Sequence, residues 1–297
     1  MRIRLLLFFL LGWCISNAQL PNTDLYMFTL LNNGVKISLN SPVYLSGFNP
    51  DGYNNQPYFI TPDEVYITSN FYDENFTDFM KLDVLNNVYY RVTATDSVSE
   101  YSPTPRALPG YFSAVRVEKD QTTQSLWLYP NDHSNYGKRI FKDISNVGYH
   151  RWLSESEVAL FLVDTSSMKL AIGSLTSETV SIVLEDIGRC FSQNSDGDLL
   201  FVHKVSENNW YIKTYNPEER KATIITQTRP NSEDFVVLSD GTFLMAEGSK
   251  IYSIHPERDE FWTEIADLEE YDILNISRLA VSRNRLILVN TKNVNQE

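Results

Sequence analysis

Apolar and polar residues alternate along most of this chain in short runs, and the runs fall into groups. EVYITS (64–69), YFSAVRV (111–117), EVALFLV (157–163), DLLFVHK (198–204), TFLMAE (242–247) and RLILVN (285–290) show the β-prone alternation of strands. Each follows another β-prone segment across a turn; TPD, NSDG, LSDG and SRN carry the Asp, Asn, Gly and Ser chemistry of tight hairpins. The leading segments start at Gly52, Glu100, Gly148, Gly188, Ser232 and Ile276, so successive starts lie 48, 48, 40, 44 and 44 residues apart. That period suits a four-stranded blade. No helical stripe of useful length interrupts the series.

Third strands follow in five of the groups (TDFMKLDV, QSLWLYP, SMKLAIGSL, NWYIKTYN, SKIYSIHP), and fourth strands read VYYRVT, RIFKDI, TVSIVLEDI, KATIIT and FWTEIADL. The sixth group, from Ile276, stops after two strands. Its missing pair is TDLYMFTL and VKISLN near the other end of the chain. TDLYMFTLLNN (23–33) matches TDFMKLDVLNN (77–87) at five of eleven positions, in register. The expectation is an all-β, six-bladed β-propeller whose last blade is closed by the N-terminal strands, which removes the unpaired edges that an open ring would expose.

Composition adds a cellular address. MRIRLLLFFLLGWCISNA has a basic start at Arg2 and Arg4, an apolar run from Leu5 to Trp13 and a small-x-small site at Ser16-Asn17-Ala18, so residues 1–18 read as a signal peptide and 19–297 as one propeller domain. The apolar run is shorter than the roughly 20 residues of a bilayer span. No second such run follows, so no transmembrane segment is expected after cleavage. Gly12 and Trp13 ahead of Cys14 do not suit a lipoprotein site. Cleavage leaves Cys190 alone, so no internal disulfide can form. With 25 basic and 38 acidic residues the charge is −13, or −15 once Arg2 and Arg4 are removed; together with basic clusters no longer than Lys138-Arg139 or Arg220-Lys221, this argues against nucleic acid.

Motifs that would name a reaction are missing. The chain has no G-x-S-x-G elbow, no phosphate-binding G-x-x-x-x-G-K-[ST] and no H-E-x-x-H; His133, His150, His203 and His255 are scattered. NSDGD (194–198) reads as a hairpin turn, since LLFVHK follows where a calcium loop needs a distant carboxylate. One constellation remains. The first strand of each blade should line the central channel, which would bring Asn55, Gln56, Ser102, His150, Arg151, Arg189, Glu233, Asp234, Ser277 and Arg278 towards one mouth. These groups could hold a polar ligand by charge-assisted hydrogen bonds, or satisfy one another as a plug.

DLYMFTL, NPDGYNNQPYF-x-TPDEVYITS, EYSPTPR, GYHRWL and SEDFVVLSDGTFLMAEGSKIY together resemble the repeats of TolB-like six-bladed propellers of exported bacterial proteins. Gln56-Pro57-Tyr58-Phe59-Ile60-Thr61-Pro62-Asp63 matches their Q-P-x-F-S-P-D-G signal; Glu64 replaces its glycine, and the third and sixth repeats lack the Pro-Asp-Gly turn. The resemblance spans roughly residues 20–292. It implies a periplasmic, surface-associated or secreted protein of a type that serves as a docking platform; the expectation is a non-catalytic monomer that binds an envelope protein or peptide. A metal-dependent lactonase or hydrolase, with calcium held by Asn55, Glu233 and Asp234, and a glycan-binding propeller are the alternatives. Otherwise no cofactor, metal or catalytic residue is expected.

Overall fold

The computed structural model describes residues 20–106, 109–132 and 135–292. The expected leader, residues 1–18, and His133 lie outside the described residues. The chain forms six four-stranded antiparallel sheets. The N-terminal strands are β1 (Thr23–Asn32) and β2 (Ile37–Tyr44). Blade 1 holds β3 (Asn54–Phe59), β4 (Glu64–Ser69), β5 (Asp78–Asp83) and β6 (Val88–Arg91). Blade 2 holds β7 (Ser99–Pro105), β8 (Tyr111–Val117), β9 (Gln124–Pro130) and β10 (Lys138–Ile140). Blade 3 holds β11 (Val147–Trp152), β12 (Glu157–Leu162), β13 (Lys169–Ser174) and β14 (Thr179–Glu185). Blade 4 holds β15 (Ile187–Gln193), β16 (Leu199–Ser206), β17 (Asn209–Asn216) and β18 (Lys221–Gln227). Blade 5 holds β19 (Phe235–Val237), β20 (Phe243–Glu247), β21 (Lys250–Ile254) and β22 (Thr263–Asp267). One 3-10 turn, Glu269–Tyr271, precedes the last two strands, β23 (Ile276–Ser282) and β24 (Arg285–Thr291).

The sixth sheet runs β2-β1-β24-β23, so the two chain ends share one blade as the strand deficit predicts. β1 and β24 pair without a register break from Thr23↔Thr291 to Thr29↔Arg285. Lys292 reinforces the suture: its N–H donates to Asn22 O (2.9 Å) and its Nζ lies 3.1 Å from an Asp24 carboxylate oxygen.

Two-residue alternation explains how the blades stack. Leu199 and Phe201 face blade 3, whereas Leu200 and Val202 on the same strand face blade 5. β1 behaves alike: Leu25 packs with Val65, Ile67 and Met80 of blade 1, and Phe28 and Leu30 pack with Leu244 and Ile251 of blade 5. Six clusters of buried apolar side chains fill the six seams in this way. A middle strand buried on both faces reads as a continuous apolar run, and β12 (EVALFL) and β16 (LLFVHKVS) do.

Five of the six inner strands carry a bulge where they meet their second strand: β3 (Asn55/Tyr58), β7 (Tyr101/Thr104), β11 (Val147/Tyr149), β15 (Ile187/Phe191) and β23 (Ile276/Arg278). A bulge re-aims the side chains beyond it. Gln56 and Ser102, each followed by proline, sit inside two of these bulges at φ 55° and 56°. The bulges set which side chains reach the channel.

Candidate ligand-binding channel

The inner strands enclose a cavity of about 430 Å³ bordered by residues of all six blades, among them Gln56, Tyr58, Ser102, Tyr149, Arg151, Arg189, Gln193, Asp234, Arg278 and Ser282. A second cavity opens at the end where the inner strands begin and is bordered by Asn231, Glu233, Ser277 and Gly248. Arg189, Asp234 and Arg278 border both, so they form the wall between the two.

That wall is tied together. Arg278 Nη2 donates to the Tyr149 hydroxyl (2.6 Å), and its Nη1 lies 3.7 Å from Asp234. Asp234 accepts the Leu279 N–H at 2.8 Å. Burial pushes the Asp234 carboxyl up, and the Arg278 and Arg189 guanidiniums oppose that shift. Arg189 donates to the Ser277 carbonyl at 3.1 Å and faces Glu233 at 3.4 Å. Glu233 is shared with Lys204, the shorter partner at 2.7 Å. Gly188 lets blade 4 approach this carboxylate closely: a Cβ there would stand 3.1 Å from Glu233 Oε2.

The other predicted residues lie outside this wall. Gln56 Oε1 accepts from Thr68 Oγ1 (2.8 Å) and the Ser102 N–H (2.7 Å), so it stitches blade 1 to blade 2. Asn55 is buried, caps the Gln56 N–H at 2.7 Å and borders neither cavity. His150 turns its ring from the channel into the seam with blade 2, where Nε2 lies 2.6 Å from Ser113 Oγ. Burial, then the Arg151 charge, lowers its pKa to about 3, so it is neutral at physiological pH. Cys190 is half-buried against Phe235, and desolvation pushes its thiol up. Arg151 reaches the channel nearer the turn end of the strands. Its Nη1 donates to the Tyr58 hydroxyl (2.9 Å), and Nε approaches Gln193 Oε1 (3.4 Å).

Sequence reading missed Tyr58, Tyr149 and Gln193. The signal was available in strand alternation: Tyr149 and Arg151 stand two apart and share a face, whereas His150 between them cannot. Among the described residues no group of three His, Cys, Asp or Glu side chains converges as a metal site.

No protein-family model matches the chain, and no curated protein matches it. Solved structures do. A candidate TolB of Agrobacterium tumefaciens superposes with a TM-score of 0.67 at 8% identity, over 92% of this chain and 99% of that one. A nidogen/laminin complex gives 0.60 at 9%, over 90% and 98%. An oligogalacturonate lyase in complex with manganese gives 0.56 at 11%, over 87% and 83%. At such identities the likeness is one of fold, and it agrees with the resemblance to TolB-like propellers. The fold is shared by a component of a protein complex and by a lyase, so function has to be argued from the site.

Proposed function

We propose that this chain is a non-catalytic propeller, exported and monomeric, that binds an envelope protein or peptide through its central channel. The observation that carries the reading is the state of the channel's acid–base groups. Both carboxylates, Asp234 and Glu233, face guanidiniums or Lys204, and among the described residues the one histidine on an inner strand, His150, is buried and neutral. A general acid or base has to reach substrate with a pKa near the working pH; His150, held against Ser113 with its pKa lowered to about 3, is not placed for that role, and the two carboxylates are engaged by cations. A divalent cation at Glu233 and Asp234 would have to displace the cations those groups hold. The polar lining and a volume within the range of ligand sites suit recognition instead.

Site-directed photo-crosslinking tests this. A photoreactive residue is placed at Ser277 or Ser282, the two ends of β23 beside the channel, and at exposed Ile224 on outer strand β18 as control. A discrete adduct from a channel position in the native envelope, and none from Ile224, is expected. Adducts from Ile224 alone would overturn the reading.

A further inference from the structure

The channel has more cationic groups than the protein supplies partners for. Its border carries Arg151, Arg189 and Arg278 against Asp234, which is 3 − 1 = +2; adding the neighbouring Lys204 and Glu233 leaves +2. The chain as a whole stands at −13. A local excess of the opposite sign inside low-dielectric walls focuses field into the cavity and draws anions there.

The excess localises to one side chain. Arg189 and Arg278 each face a carboxylate, at 3.4 and 3.7 Å. Arg151 faces none: among the described residues its guanidinium meets only the Tyr58 hydroxyl, the Gln193 amide oxygen and the face of the Tyr58 ring, 5.8 Å from the centroid. Those neutral contacts orient the fork through Nη1 and Nε. They do not neutralise it. A part-buried guanidinium, fixed by neutral groups at the edge of an open cavity, is preorganised for a planar, bidentate anion. His150 beside it does not contribute charge, because it is neutral.

We propose that Arg151 is the receptor for a carboxylate of the channel's ligand, so that the ligand is an acidic one. This rests on the channel-binding reading above. A carboxylate can come from an acidic peptide or from a small organic acid, and both are probed.

The test uses calorimetric titration of the full chain with tetraglutamate, with succinate and with amidated tetraglutamine. Tetraglutamate or succinate is expected to bind and tetraglutamine not to bind, with affinity falling as salt rises. Whichever acid binds names the source. Arg151→Gln is expected to weaken binding at least tenfold with an unchanged melting temperature, and Arg151→Lys to restore part of it. Should Arg151→Gln fail to fold, Ser282→Glu places a carboxylate at the same cavity and is expected to block the probe. Equal binding of tetraglutamate and tetraglutamine, binding unchanged in Arg151→Gln or Ser282→Glu, or no binding of either acid would overturn the proposal. The crosslinking separates the two readings. An undiminished channel adduct in Arg151→Gln removes the carboxylate receptor and spares the platform. Acid binding lost in Arg151→Gln, with no channel adduct, supports the receptor and removes the platform.

Discussion

The two Thr-Asp pairs that open the repeated segments, Thr23-Asp24 and Thr77-Asp78, build two seams of the ring in the same way and end with different buried groups. Thr23 Oγ1 donates to Asn54 O (2.8 Å) where the closing blade meets blade 1. Thr77 Oγ1 donates to Glu100 O (2.9 Å) where blade 1 meets blade 2. In the first seam Asn54 is wholly buried and saturated: Nδ2 donates to Thr23 O and Asn49 O, and Oδ1 accepts from Ser69 Oγ. In the second, Glu100 is equally buried, Oε1 accepts from the Tyr129 hydroxyl (3.1 Å), and Oε2 meets no donor in good hydrogen-bond geometry, the Thr93 hydroxyl acting on the carboxyl only loosely. One backbone device therefore tolerates either a neutral hub or an acid. The choice decides which seam responds to pH.

The largest test breaks the first seam. Deleting residues 20–44 removes β1 and β2, exposes the edge of β24 and strips Leu25, Phe28 and Leu30 from two apolar clusters. Loss on this scale exceeds the about 5–15 kcal/mol by which a domain is stable, so no single cooperative transition is expected in calorimetry. A monomer melting as sharply as the full chain would show that the suture is dispensable.

The second test sharpens the contrast through Glu100. Burial, and then the Asp78 charge against the pull of the Thr93 hydroxyl, raises its pKa from 4.5 to about 7. Between those values the folded chain keeps a proton that the unfolded chain has released, so stability falls as pH rises from about 4.5 to about 7. Glu100→Gln should leave the melting temperature unchanged at pH 4.5 and raise stability by about 2–3 kcal/mol at pH 8. A gain of the same size at both pH values would refute the assignment. His150 acts with the opposite sign: its lowered pKa makes stability fall as pH drops from 6.5 towards about 3. Between them, these two groups place maximum stability in the mildly acidic range.

The pattern of apolar positions carried the architecture: six groups of strands, the deficit at Ile276 and the match of 23–33 to 77–87 are consequences of burial on two faces, which composition records. Side-chain direction was less legible. Adjacent polar pairs, such as His150-Arg151 and Asn55-Gln56, cannot both face the channel in an extended strand, and the bulges at Asn55/Tyr58 and Val147/Tyr149 shift the phase. Only the Gln56-Pro57 and Ser102-Pro103 steps hinted at such breaks, since proline in a strand marks an edge or a bulge. Partners such as Lys204 for Glu233 and Tyr149 for Arg278 come from different blades, and no local spacing records them.

The smallest effect isolates the shared threonine device. Thr23 Oγ1 both donates to Asn54 O and accepts the Asn54 N–H, each at 2.8 Å, so Thr23→Val strands a buried donor and a buried acceptor. Thr77 Oγ1 makes only the bond to Glu100 O; the Glu100 N–H goes instead to the Thr77 carbonyl (3.0 Å), which valine keeps. A net hydrogen bond is worth about 1 kcal/mol, and an unpaired buried donor costs about 1–3 kcal/mol. Thr23→Val should therefore destabilise the chain by roughly 1 kcal/mol more than Thr77→Val, read as midpoints of denaturant unfolding at a common slope. Equal losses would mean that the Asn54 N–H finds another acceptor. The two seams would then differ through Glu100 alone.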